Sequence, residues 1–168
     1  MDNNNLMLFK YIGGKYKLRN FIISNIPEHK TYVEVFGGSL AVLLHKQPSQ
    51  IEVANDKVLT IYYTWLAVKN YPELMKNKLK YIIPHRKIFN EFKKDLEDYN
   101  KIPNISNPEK LADIAVKLIT VQNLSFSGIP SGSFSISSKT PIAKPLKNKE
   151  KKLELISKRI KDVIIENL

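Results

Sequence analysis

Glu34, the pair Gly37-Gly38 and Asp56 are the residues of this sequence best suited to chemistry. Glu34 lies near the end of the apolar run 31–36, the two glycines follow at once, and Asp56 closes the next run, 49–56. Glycine lets a ligand approach the backbone, and a helix starting there offers free amides. An acid at the end of the second run is placed to accept hydrogen bonds from ribose hydroxyls, with Glu34 facing the same crevice. No Gly-Lys-Ser/Thr follows, which excludes the phosphate-binding P-loop. No G-x-G-x-x-G is present either, which excludes the dinucleotide fingerprint. A ligand with a ribose and no pyrophosphate fits the pattern. The same residues also fit a plain tight turn flanked by two solvated acids. A second glycine element, Gly13-Gly14-Lys15, stands behind Tyr11 and ahead of the first helix. Taken alone, it reads as a basic N-terminal turn.

These residues need elements to hold them. Residues 17–26 place Leu18, Phe21, Ile22 and Ile26 on one helical face, and Pro27 stops the helix. Residues 31–36 are β-branched and aromatic, so they predict a short strand. Residues 39–46 read as a helix entered at Ser39, with Pro48 ending it, and 49–56 as a second strand. Strand, glycine turn, helix, strand is a βαβ unit and predicts a parallel sheet. Beyond Asp56 the pattern becomes helical. Helices are expected over 57–70, 71–80, 85–100 and 107–124. The third carries Ile88, Phe89, Phe92 and Leu96 on one side. The fourth is capped by Asn107, with Pro108 in its first turn. Tyr62, Tyr63 and Trp65 read as helix-packing core. Residues 125–145 are rich in Ser, Gly and Pro and suggest a hairpin or exposed loop around 134–136. A basic helix then runs into an apolar strand at 163–165.

The chain has 168 residues, no cysteine and a formal net charge of +11. Its length suffices for one cored domain with a small insert. The missing cysteines rule out a disulfide framework and a thiolate metal site and suit a reducing, cytoplasmic compartment. No basic leader with a long apolar stretch opens the sequence, and no window reaches the length of a membrane span. The charge is uneven. Residues 1–60 carry seven basic against five acidic side chains, whereas residues 61–168 carry twenty against eleven. That surplus points to a polyanionic partner, most simply nucleic acid. A lysine-rich solvated surface is the plainer alternative.

In order along the chain, "KYIGGK", "VEVFGGS" and "VAND" resemble the motifs of the Dam-type, alpha class, adenine-specific DNA methyltransferases. The later "NLSFSGIPSGSFSISSKTP" is similar to the Gly-containing loop of that family's target-recognition insert. The resemblance implies a Rossmann-like S-adenosylmethionine-dependent sheet, incomplete here, with a mainly helical insert. It divides the chain into a cofactor-binding part at 1–56, a DNA-recognition insert at 57–146 and a return to the α/β domain at 147–168. It places Tyr11, Gly13, Gly14 and Lys15 at the methionine end of S-adenosylmethionine. Glu34, Phe36, Gly37 and Gly38 fall around the cofactor, and Asp56 on its ribose. For double-stranded DNA, Arg86, Lys87, Ser125, Ser127, Ser133, Lys139 and Lys144 are the candidate contacts. One departure is Leu40, where many members have another glycine, which implies a side chain crowding the cofactor.

The chemistry of the residues agrees with such a cofactor. It carries a ribose but no phosphate, so acids and apolar walls suit it better than a lysine cradle. Methylating a cytosine ring carbon needs a thiolate nucleophile, which this chain lacks, whereas an exocyclic amine attacks the methyl group directly. The family's Asp-Pro-Pro-Tyr motif is absent, since none of the nine prolines adjoins another. The chain is therefore expected to hold a cofactor half-site and an insert without a catalytic tetrapeptide. A complementing C-terminal fragment would supply the rest. The alternatives are a DNA-binding remnant without catalysis and a methyltransferase acting on RNA or a small molecule.

Overall fold

Three parallel strands make the sheet, β1 (Thr31–Glu34), β2 (Ile51–Asn55) and β3 (Ile164–Glu166), in the order β1-β2-β3. Thr31 pairs with Ile51, Glu34 with Ala54, and Val53 with Ile164. This computed structural model describes residues 5–128, 132–135, 146 and 149–168, without the side chain of Ser127. Lys139, Lys144 and the expected β segment at Ile136 lie outside the described residues. Among those described there are six α-helices, which leave one face of the sheet uncovered. They are α1 (Arg19–Ser24), α2 (Leu59–Asn70), α3 (Pro72–Lys80), α4 (Arg86–Tyr99), α5 (Pro108–Leu124) and α6 (Lys149–Arg159).

The helices beyond Asp56 begin where their caps dictate. The His85 ring accepts from the Lys87 amide (3.1 Å) and the Asn107 side chain from the Lys110 amide (3.0 Å). Pro72 and Pro108 occupy first-turn positions, where no intrahelical donor is needed. α5 is buried along most of its length and packs against α2, α3 and α4, so it forms the axis of the core. Trp65, Tyr63 and Phe89 fill the space around it, as helix-packing core should.

The strands alternate. Tyr32, Glu34, Glu52, Ala54 and Ile165 turn toward the helices. On the other face Val33, Ile51 and Ile164 are 48%, 51% and 47% exposed. Parallel sheets are ordinarily covered on both sides, so this apolar face is an unusual feature. Val163, just ahead of β3, is buried.

Two local expectations are corrected. Residues 39–46 form consecutive turns rather than a helix. Bonds from Leu44 to the Leu40 carbonyl and from Lys46 to the Val42 carbonyl are helical in spacing. Between them, however, the Leu43 amide is diverted to Glu34 Oε2 (2.8 Å), and Leu40 adopts φ +51°. A left-handed residue at the start and a missing rung in the middle prevent a regular helix. The second correction concerns α1. It is only six residues long, and Leu18 and Phe21 are exposed rather than packed.

Candidate functional site

The turn after β1 is held by bonds that only a glycine pair permits. Gly37 donates to the Asn55 carbonyl (2.8 Å), and a Cβ at Gly37 would lie 3.0 Å from that oxygen. Gly38 has φ +48°, and a Cβ there would lie 2.9 Å from the Tyr11 ring. What comes close to this backbone is therefore the end of β2 on one side and an aromatic ring on the other. The Gly38 amide donates to Asp56 Oδ2 (2.7 Å), and its carbonyl accepts from Trp65 Nε1 (2.8 Å). Asp56 Oδ1 accepts from the Val58 amide (2.9 Å), which fixes the entry to α2. Asp56 thus joins the glycine turn, β2 and α2 at one point. Each of its oxygens retains a lone pair for a further donor.

A cleft of about 350 Å³ lies over this point. Tyr11, Gly13, Gly14, Lys15, Phe36, Gly37, Gly38 and Asp56 all line it. Eight residues singled out from three separate stretches of sequence thus meet in one concavity of ligand size. Phe36 is 78% exposed at its rim and offers a free aromatic face. The Tyr11 phenol, raised by burial and by the nearby Asp56 carboxylate, stays protonated at neutral pH. Leu40 is absent from the lining and fully buried in the core, so it does not crowd the cleft. Its left-handed φ also explains why glycine suits that position.

Glu34 does not line the cleft but lies behind Lys15, 4% exposed. Oε2 is taken by the Leu43 amide. Oε1 is buried without a hydrogen bond, 3.6 Å from Lys15 Nζ. Burial raises the Glu34 carboxyl above the usual range, partly offset by the Leu43 amide and Lys15. Lys15 Nζ also donates to the Phe36 carbonyl (3.0 Å), so the lysine spans both glycine elements.

Several contributors were not singled out in the sequence. Ile12, Ser39, Ala41, Lys57 and Val58 also line the cleft, and each adjoins a glycine motif or Asp56. The end of β3 closes the same corner. The Asp56 amide donates to the Glu166 carbonyl (3.2 Å), and Asn167 Nδ2 donates to the Asp56 carbonyl (2.7 Å). Trp65 reads as core from its spacing, and its indole bond to Gly38 has no sequence signature.

The expected DNA contacts behave unequally. Arg86 and Lys87 are exposed at the start of α4, and the Arg86 guanidinium lies 5.9 Å from the Phe134 ring centroid. Ser133 is exposed beside Phe134. Phe134, which Arg86 approaches and Ser133 adjoins, bridges Ser125 antiparallel. Ser125 itself is buried, and its hydroxyl donates to the Gln122 carbonyl (3.3 Å). Its side chain therefore supports the loop and does not face a ligand. Phe126, next to it, is exposed.

A parallel sheet with a glycine cleft at the carboxyl ends of its strands, and a large helical segment inserted between β2 and β3, defines an α/β ligand-binding protein of Rossmann-like type. Residues 11–168 match the sequence pattern of the D12 class N6 adenine-specific DNA methyltransferases, and the chain belongs to that family. Enzymes of this family methylate adenine in DNA. No curated protein matches the chain. Among the described residues, no helix is long and apolar enough to cross a membrane.

Proposed function

We propose that the glycine cleft binds S-adenosylmethionine and that residues 57–146 bring duplex DNA to it. The observation that carries this reading is the corner where Asp56, the glycine turn and the Glu34–Lys15 pair meet. The groups present fit the cofactor. Asp56 retains lone pairs for ribose hydroxyls. Lys15 is placed to meet a carboxylate, and the buried Glu34 carboxylate behind it, 3.6 Å from its ammonium, holds it there. Phe36 supplies an apolar wall. When bound, the cofactor offers a methyl group on a cationic sulfonium. The chain's own residues hold and orient it in a cleft with acceptors on one side and a protonated phenol, Tyr11, on the other.

In this reading residues 1–56 and 147–168 frame the cleft. Arg86, Lys87 and Ser133 contact the DNA in this reading, and Ser127, Lys139 and Lys144 are further candidates from the sequence. Because these residues contain no Asp-Pro-Pro-Tyr, transfer in this reading requires further polypeptide, either a continuation of this chain or a complementing fragment, that presents acceptors to the adenine amine. Calorimetry with S-adenosylmethionine tests the cleft. Weak binding is expected, and Asp56→Ala is expected to abolish it. No heat at millimolar ligand from a folded sample would remove the cofactor from this site. Equal affinity for duplex DNA and duplex RNA would instead point to a methyltransferase of RNA.

A further inference from the structure

Lys149 is the most anomalous charge in the molecule. It opens α6, yet only 7% of it is exposed. Its ammonium has three donors to satisfy. Among the described residues its one acceptor is the Met7 carbonyl, at a long 3.4 Å. Lys152, one turn along the helix, directs its Nζ at the same carbonyl (3.5 Å) and at Asn5 Oδ1 (3.2 Å). Two ammonium groups therefore crowd one carbonyl oxygen. Lys10 adds a third charge. It packs against Gly128 at the hairpin root, and Gln122, its amide oriented to donate, bonds the carbonyls of both (3.0 and 2.6 Å). Exposure falls from Lys10 through Lys152 to Lys149, so the three lysines descend from solvent into the protein.

Among the described residues no carboxylate balances them. None of the three lysines forms an ion pair among the described residues, and neither does Glu150, the exposed carboxylate of that first turn. The sequence from 114 to 149 holds no aspartate or glutamate at all. Cations at a helix start also oppose its dipole, which favours anions there. A buried ammonium without a partner is strongly unfavourable. Burial, with Lys152 and Lys10 adding to it, pushes the Lys149 ammonium down to about 7.

We propose that Lys10, Lys149 and Lys152 form a seat for a phosphate group, placed where the N-terminal segment, the root of the hairpin and α6 meet. A tetrahedral dianion or a phosphodiester supplies the missing counter-charge. Two sources carry this group, the DNA backbone and free inorganic phosphate. The position at the hairpin root favours DNA, and that arm of the proposal rests on the DNA-binding reading above. The seat itself does not.

The test compares wild type, Lys149→Met and Lys152→Met. Melting is followed in inorganic phosphate and in chloride at matched ionic strength, and duplex binding is followed across salt. Wild type should melt higher in phosphate than in chloride. Lys149→Met should melt higher than wild type in chloride, having lost an uncompensated charge, and should not respond to phosphate. In duplex binding each methionine variant should show a log–log salt slope shallower by about 0.9, one phosphate contact's worth. A phosphate response with an unchanged slope would keep the seat and assign it to the free ion. Absence of duplex binding with a retained phosphate response would remove the DNA reading and leave the seat standing. Identical melting of wild type in phosphate and chloride, with slopes unchanged in both variants, would overturn the proposal. If Lys149→Met does not fold, the half-exposed Lys152→Met carries the same comparison.

Discussion

At the scale of single residues, the site depends on how closely Tyr11 approaches Gly38. The left-handed φ and the ring 2.9 Å from a virtual Cβ are separate penalties at one position. Gly38→Ala should destabilise the chain by about 1–3 kcal/mol, since strained backbone and overpacking each fall in that range. Tyr11→Ala should recover the overpacking part and leave the backbone strain. A double-mutant cycle by urea denaturation therefore should give a coupling of about 1 kcal/mol or more, and strict additivity would mean that the ring does not press on the turn. Residues of this kind differ in how openly the sequence declares them. Asp56 and the glycines stand out because few alternatives explain an acid and a glycine pair at strand ends. Leu40 and Trp65 are concealed, because their roles rest on a backbone angle and a single indole bond. Lys149 is concealed for another reason. In a run of lysines it reads as a solvated face, and only the packing of Met7 over it shows that it is buried.

At the scale of elements, the sheet is tied to its surroundings by a buried ionic junction. Glu52 on β2 bonds Lys46 (2.8 Å) from the turn segment and both terminal nitrogens of Arg159 (2.6 and 3.0 Å) at the end of α6. Burial pushes the Glu52 carboxyl up, but the bonds from Arg159 and Lys46 outweigh it and hold the group below the usual carboxylate range. A carboxyl lowered by folding contributes stability that is complete above its unfolded value. That stability is lost as pH falls through the folded value. Wild type should therefore lose stability below about pH 4.5 along a limb that Glu52→Gln flattens. At neutral pH Glu52→Gln should cost about 3–5 kcal/mol, because two cations stay buried without their anion. Unchanged melting from pH 3 to pH 5 in both proteins would mean that the junction is not formed. α2 through α5 were legible in the sequence because caps, prolines and a 3.6-residue apolar period agreed with one another. The segment 39–46 was not. Its apolar residues suit a helix, and only the carboxylate of Glu34, arriving from another element, takes the amide that the helix required. The burial of the Leu18 and Phe21 face of α1 was also misread. Helical spacing reports a face but not whether anything lies against it.

At the scale of the whole molecule, the proposed cofactor cleft sits in a chain of net charge +11 that contains no Asp-Pro-Pro-Tyr. Stabilising the adenine amine as it loses a proton needs acceptors fixed at the reacting nitrogen. No Pro-Pro-aromatic turn in these residues provides them. The 168-residue chain should show no methyl transfer to mixed-sequence DNA in a tritium assay. A complementing polypeptide carrying Asp-Pro-Pro-Tyr should restore it. Turnover by the chain alone would mean that another group performs that role. One feature of the cleft also has a bearing on how the protein is made. Asn167 meets the Asp56 carbonyl across 111 residues of sequence. On a ribosome, the glycine turn and the first two strands emerge early, and the helices fold locally while synthesis continues. The groups that bond the Asp56 backbone at the corner of the cleft arrive only with β3. During that interval the Asp56 backbone has neither the Glu166 carbonyl nor the Asn167 amide beside it, and the nascent chain cannot yet hold a ligand firmly. Closure of the Asp56 corner therefore reports that translation has passed β3. A chain released before that point would leave these backbone groups unpaired and present an open corner to proteases.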